Sequence, residues 1–258
     1  MNNRIRIYAD YLRHSRLFRK GGVSDEDVFL VSFPKSGNTW VRFILARSLY
    51  PESEINLRNI LEYFPAAHRS KAEEIKKVPS PRFIKSHYPF FSLYPRSIYI
   101  YRDYRDAAVS AFYHVQNRKL YSGSFSEFLR HPLLNYFGTW ADHMKKAFDF
   151  QLKHPEKIYI LRYEDLRSRP GQHIRELHEF CGIQPIVPVE KIIELTSFEK
   201  MKADEQISGS RIKDSSGNSF FRQGKSGDWK NYFSASDLKF LYSGKGVKEM
   251  MERGGYVI

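Results

Sequence analysis

The sequence predicts a single α/β domain: a central parallel sheet flanked by helices, with a phosphate-loop-like turn after its first strand. Three observations carry that prediction. Short β-branched and aromatic runs recur along the chain: "DVFLVS" (27–32), "RFIKS" (82–86), "RSIYIYR" (96–102) and "EKIYILRYEDL" (156–166). The first shows no polar alternation, as expected of a strand buried on both faces of a parallel sheet. Helical patterns separate these runs, which is the order a covered parallel sheet requires. The length, 258 residues, suits one such domain with a sizeable core.

The elements follow in order. Residues 4–19 have helical spacing, with Ile5, Tyr8, Leu12 and Phe18 toward one side and Arg6, Arg13, Arg16 and Lys20 around it. "KGG" at 20–22 ends this helix, which divides the chain into a basic amphipathic helix over 1–22 and the main domain over 23–258. The helix reads as an extension packed on the domain or as a surface for a membrane or partner. After the first strand, a helix from Thr39 to Tyr50 carries apolar residues at Trp40, Phe43, Ile44 and Leu49. Residues 51–81 read as short helices and loops. A helix starts near Asp103, and two more cover 125–131 and 135–153. The fourth strand ends in a turn, and residues 171–181 form a helix closed by Gly182. His173 and His178 on it are five apart, off the spacing for a shared metal, and read as solvated. The stretch 208–229, rich in Gly, Ser and basic residues, reads as a long functional loop. Residues 236–251 form a closing helix.

Composition narrows the partners. Lys and Arg number 42 against 29 Asp and Glu, a formal charge of +13. That excess fits a generic basic surface, or an anionic partner such as nucleic acid, an acidic membrane face or a polyanionic small molecule. The single Cys181 excludes an internal disulfide framework and a Cys-based zinc site. No stretch approaches the roughly 18 apolar residues of a membrane span. The first residues are too polar for a secretory signal, so a cytoplasmic location is expected.

Four stretches carry chemistry. In "FPKSGNTW" (33–40), Gly37 and Thr39 fall where a nucleotide-kinase loop has its second glycine and its hydroxyl. Ser32 and Asn38 replace the first glycine and the lysine, and a lysine stands three residues early, at Lys35. Backbone N–H groups at this helix start suit an anion, and Ser36 adds a donor. In "YRDYRDAAVS", Arg102 leaves the third strand at its carboxyl end, and Ser110 follows two helical turns on. Arg102 suits a phosphate, or an ion pair with Asp106. "FIKSHYPF" places Lys85 and His87 past the second strand, and His is the natural base near neutral pH. "FFRQGKSGDWKNYF" (220–233) is a cationic loop with an aromatic anchor.

These four stretches, in the order they take along the chain, resemble the sulfotransferases that use 3′-phosphoadenosine 5′-phosphosulfate (PAPS), particularly the cytosolic type. "FPKSGNTW" resembles their 5′-phosphosulfate loop and "YRDYRDAAVS" their 3′-phosphate segment. "RYEDL", "LTSFEKM" and the late "FRQGKSGDWKNYF" match further cofactor-contacting stretches, so the resemblance spans residues 28–235. It implies that Lys35, Ser36, Gly37, Asn38, Thr39 and Trp40 hold the 5′ side, with Trp40 near the adenine. Arg102, Ser110, Arg222 and Gly224 would hold the 3′-phosphate, with Gln223 standing where the family usually has lysine. Tyr163, Thr196 and Phe198 would meet the adenine end. His87 would be the catalytic base with Lys85 as companion. Lys35 would stabilise the bridging oxygen, and Ser110 would hydrogen-bond Lys35 before the acceptor arrives. The product would be 3′,5′-adenosine bisphosphate (PAP), and no metal is implied. The family's dimer segment is altered here, with Ala235 for valine and Lys239 for glutamate. The acceptor would be a small-molecule, lipid or sugar hydroxyl, with "HYPFF" favouring an apolar or phenolic pocket. The basic N-terminal helix leaves peripheral contact with an anionic membrane open, and nucleic acid is not expected as a partner. Two rival readings stand beside this one: a P-loop phosphotransferase with Asp103 holding Mg²⁺, and a non-catalytic module for RNA or an acidic membrane.

Overall fold

Four parallel strands form the sheet in the computed structural model, which describes residues 3–208 and 220–258, with side chains from Ile7 onward. They are β1 (Val28–Ser32), β2 (Phe83–Ser86), β3 (Arg96–Tyr101) and β4 (Ile158–Arg162). Their order is β2-β1-β3-β4. Leu30 pairs with Lys85 on one side and Ile98 on the other, and Ile100 pairs with Leu161. The chain leaves β1 toward β2 but leaves β3 toward β4. The crevice between the carboxyl ends of β1 and β3 is therefore a topological switch point, where such sheets bind ligands.

All five residues of β1 are buried, as a strand covered on both faces requires. Phe29 and Val31 point into one core, shared with Tyr99, Ala108 and Trp140. Val28 and Leu30 point into the other, shared with Ile44, Leu161 and Leu177. The helices that cover these faces are α1 (Asn3–Arg19), α2 (Asn38–Leu49), α3 (Ile60–Tyr63), α4 (Ala72–Lys76), α5 (Tyr104–Asn117), α6 (Phe125–Phe128) and α7 (Trp140–Lys153). After β4 come α8 (Tyr163–Ser168), α9 (Pro170–Cys181), α10 (Val189–Leu195), α11 (Phe198–Ser208), α12 (Ala235–Ser243) and α13 (Val247–Arg253).

Several expectations need correction. The closing helix is two, broken where Gly246 takes φ +73°. The helix expected from 135 starts at Trp140, after a 3₁₀ turn at Pro132–Asn135 and Gly138 at φ +104°. The fourth strand stops at Arg162 and its last residues wind into α8. Helices α10 and α11 were not expected. His173 and His178 are buried, not solvated: Tyr159 and Glu176 meet His173, and Ser48 lies 2.8 Å from His178. Of the expected loop 208–229, residues 209–219 lie outside the described residues.

The buried face of α1 also differs from the expected stripe. Tyr8 is 64% exposed, whereas Asp10, His14 and Leu17 are buried; Ile5 lies outside the described side chains. Two of the buried polar groups are paired: Tyr88 donates to the Asp10 carboxylate, and His14 Nδ1 donates to the Asp10 carbonyl at 2.7 Å, while His14 Nε2 has no partner among the described residues. The His14 ring meets Tyr88 and Phe90 edge-on, and Phe18 stacks on Phe29 at 5.8 Å. "HYPFF" is thereby used as a docking face for α1 and as core. Tyr88, Phe90 and Phe91 are all buried, so this run does not supply the apolar pocket expected of it.

Candidate active site

Three of the four chemical stretches meet because each follows the carboxyl end of a strand, and the fourth, 220–233, is tied to them through Asp106. After β1, the chain turns through Lys35 at φ +69° and Gly37 at φ +104° before entering α2. Two left-handed residues so close together turn successive N–H groups inward, which makes an anion cradle. Gly37 is required twice over. Its φ disfavours any side chain, and a Cβ there would stand 2.7 Å from the Tyr163 ring. Asn38 serves the loop itself, since its amide donates to the Leu30 carbonyl at 2.9 Å. Ser36 is fully buried, and its hydroxyl has no partner among the described residues. Thr39 accepts from Arg42 at 3.0 Å. Burial lowers the Arg42 pKa to about 10, and its Nε and one terminal nitrogen lack partners among the described residues.

From β3, Arg102 lies over the Tyr163 ring at 4.4 Å and donates to the Lys225 carbonyl at 2.8 Å. Its Nε is buried without a partner among the described residues. Asp106 lies 4.0 Å from it, and has a second task. Its carboxylate accepts the N–H groups of Gly227 and Trp229 at 2.7 and 3.0 Å, so it pins the late loop to α5. Burial raises its pKa, with Arg102 and these two N–H groups opposing. Arg222 pairs with Asp228 at 2.5 Å and lies over Tyr113, and the Gln223 amide nitrogen donates to the same carboxylate at 3.1 and 3.2 Å. Gly224 takes φ +60° against Phe198, where a Cβ would clash at 2.3 Å, and its carbonyl accepts from Arg167. From β4, Tyr163 meets Trp40 edge-on at 5.6 Å, and the Trp40 N–H donates to the Thr196 carbonyl at 2.9 Å.

From β2, His87 lies beside the start of the phosphate loop. Its Nδ1 is 2.9 Å from the Ser32 carbonyl, which can only accept, so Nδ1 carries the proton and Nε2 has the free lone pair. Burial, and then the Lys85 charge, hold its pKa well below the ordinary histidine value. Lys85 is lowered well below the lysine value, mainly by burial and then by Arg42 and Arg69. Lys35 is pulled down to about 8, by burial first and then by Arg102. The expected Lys35–Ser110 hydrogen bond is not formed; the Lys35 ammonium instead lies 4.5 Å over the Phe220 ring.

Some residues of this site were missed in the sequence. The His68 and Phe137 rings stand 6.2 and 5.1 Å from that of His87. His68 is brought there because Ala66 bridges Lys85, adding a short fifth backbone segment alongside β2. "FPAAHRS" gives no strand pattern that would have revealed this. His114, four residues beyond Ser110, meets Phe220 at 6.3 Å and is held at a pKa of about 3, mainly by burial and then by Lys35.

This sheet, with a phosphate cradle at its switch point and a neutral histidine one strand away, defines a group-transfer enzyme acting on an anionic donor. The comparisons with known proteins give the family. Residues 25–251 match the sulfotransferase domain family. Dog (Canis lupus familiaris) sulfotransferase 1B1 is 32% identical over 244 residues, 83% of this chain and 81% of that one. Human (Homo sapiens) sulfotransferase 1C2 is 31% identical over 237 residues, 82% and 79% of the two chains. Mouse sulfotransferase SULT7A1, solved with PAP, superposes with a TM-score of 0.71 at 24% identity, covering 90% of this chain and 87% of that one. Retinol dehydratase, solved with retinol and PAP, gives 0.73 at 22% identity, with 89% and 82% covered. The chain belongs to the sulfotransferase family. Among the described residues, no helix is long and apolar enough to cross a membrane.

Proposed function

We propose that the protein transfers a sulfuryl group from PAPS to an acceptor hydroxyl, with His87 as general base. The observation that carries this is the single free nitrogen of His87, Nε2, presented one strand away from the anion cradle. The residues fit the donor. Buried Ser36, Arg42 and Arg102 each keep a polar atom without a partner among the described residues, and Gly37 and Gly224 keep space that a Cβ would fill. PAPS supplies an activated sulfuryl group. Lys35, the loop N–H groups and Thr39 hold its 5′ side; Arg102, Ser110, Arg222, Gln223 and Gly224 hold its 3′-phosphate. Trp40, Tyr163, Thr196 and Phe198 enclose the adenine end. His87 Nε2 takes the hydroxyl proton as the acceptor oxygen bonds to sulfur, and the bond from sulfur to the bridging oxygen breaks. Lys35 stabilises the charge left on that oxygen, and Lys85 assists beside the base. Placed donors of this kind typically contribute a few kcal/mol each.

The acceptor is a hydroxyl of a small molecule, lipid or sugar, handled in the cytoplasm. The unit that does this spans 23–258, with α1 docked as its extension. The phosphotransferase reading loses its metal-holding acid, because Asp103 is engaged by Arg105 at 2.6 Å. Calorimetry with PAP and ATP tests the proposal. PAP should bind and ATP should not; the reverse pattern overturns it.

A further inference from the structure

The acceptor side of His87 carries more positive charge than the transfer step uses. Lys35 and Lys85 have tasks there, but Arg69 and Arg118 do not. Arg69 follows His68 on the segment that pairs with β2. Arg118 follows the last residue of α5 and stands four residues beyond His114, on the same side of the helix. His68 stands 6.2 Å from His87, and His114 approaches the Phe220 ring that Lys35 covers. The two arginines therefore belong to the same short segments as the two histidines that flank the base and the lysine. Both are exposed, and among the described residues neither has an ion pair.

Electrostatics supports the same picture. His68 is held at about 3 by burial, then by Lys85 and Arg69. His114 is held equally low by burial, then by Lys35, Arg118, Lys85 and Arg69. Arg69 thus acts on both histidines, and the largest charge effects on each come from basic groups. One carboxylate that acts on Lys35, Glu205, already accepts the N–H groups of Phe220 and Phe221 at 2.5 and 3.1 Å.

We propose that the acceptor carries an anionic group, a carboxylate or a phosphate, close to its reacting hydroxyl, and that Arg69 and Arg118 hold that group at the mouth of the site. The proposal rests on the sulfotransferase reading above. An arginine pair suits such oxyanions because each guanidinium offers a planar fork of donors. It also draws anionic acceptors in from solution. A neutral phenol or sterol would leave this positive cluster without compensation.

The test measures binding of three phenols to the PAP-saturated protein by calorimetry, and their sulfation from labelled PAPS. They are 4-ethylphenol, 4-hydroxyphenylacetate and (4-hydroxybenzyl)phosphonate; the last two distinguish a carboxylate from a phosphate-like group. At least one anionic phenol should bind and react about tenfold better than 4-ethylphenol, with the advantage shrinking in high salt. Arg69→Gln and Arg118→Gln should each remove most of that advantage, with 4-ethylphenol changed less than about twofold and PAP affinity unchanged. Equal or better use of 4-ethylphenol by PAP-binding protein overturns this inference alone, as does no binding of either anionic phenol. A failure to bind PAP overturns the sulfotransferase reading, and this inference with it.

Discussion

On the β1–β3 side of the strand ends, the anion cradle is made of backbone. Lys35 and Gly37 hold left-handed conformations, the Asn38 amide ties the loop to Leu30, and Tyr163 closes over Gly37. On the β2 side, the base and its neighbours are side chains gathered from distant segments: His87 after β2, His68 before α4, Phe137 before α7. The cradle is thus fixed by local geometry that tolerates few residue types. The acceptor wall is fixed by long-range packing, so its residues can change while the fold stands.

Substitutions on each side can break or sharpen the contrast. The largest effect belongs to the base. His87→Ala should lower kcat by about 10²–10⁴-fold while PAP affinity stays unchanged; steady-state rates and calorimetry check this, and unaltered turnover would remove His87 from the mechanism. Next comes the cradle. Gly37→Ala meets both a φ of +104° and the Tyr163 ring. A strained backbone of this kind costs about 1–3 kcal/mol, so PAP binding should weaken roughly 5- to 150-fold with little change in acceptor preference. An unaltered PAP titration would show that the loop adapts.

A smaller effect concerns protons. Lys35 has a pKa of about 8 in the free protein, and a bound anion favours its charged form. PAP binding near pH 8.5 should therefore take up a proton, and affinity should fall as pH rises through 8. Calorimetry in buffers of different ionisation enthalpy reads this directly, and Lys35→Met should abolish the uptake. The smallest effect is on stability. Burial holds His143 neutral, with a folded pKa of about 3. Its unfolded form has the ordinary pKa and binds the proton first. Stability from this group is complete above that ordinary value and declines as pH falls toward the folded one, a loss of about 2 kcal/mol at pH 5. Denaturant midpoints at pH 8 and 5 should show the slope, to which the other buried histidines add, and His143→Gln should make it shallower by this share.

The same contrast explains what could be read in advance. The strands were legible because burial on both faces leaves an apolar run, and the cradle because its glycine, hydroxyl and lysine are contiguous. Gly37 reports its own conformation, and Arg102 its position at a strand end. The buried face of α1 was not legible. Asp10 and His14 lie inward because Tyr88 meets the Asp10 carboxylate and a backbone carbonyl takes one nitrogen of the His14 ring, which packs on Tyr88 and Phe90, and no periodicity in hydrophobicity reveals a polar residue with a distant partner. His68 and Phe137 were hidden for the same reason. Asp106 was read as an ion-pair partner of Arg102, but its main partners are N–H groups more than a hundred residues away.

The carbonyl that orients His87 belongs to Ser32, the last residue of a fully buried strand. It is a peptide group, and every amino acid placed at position 32 would bring the same one. That contact therefore survives any substitution at position 32, whereas the Ser32 hydroxyl, 3.4 Å from the same nitrogen, adds a second one that a substitution would remove. Only a shift in the register of the sheet could alter the carbonyl contact, and such a shift would dismantle the cradle as well. The reactive nitrogen is inherited with the architecture, which leaves the surrounding wall free to drift toward new acceptors.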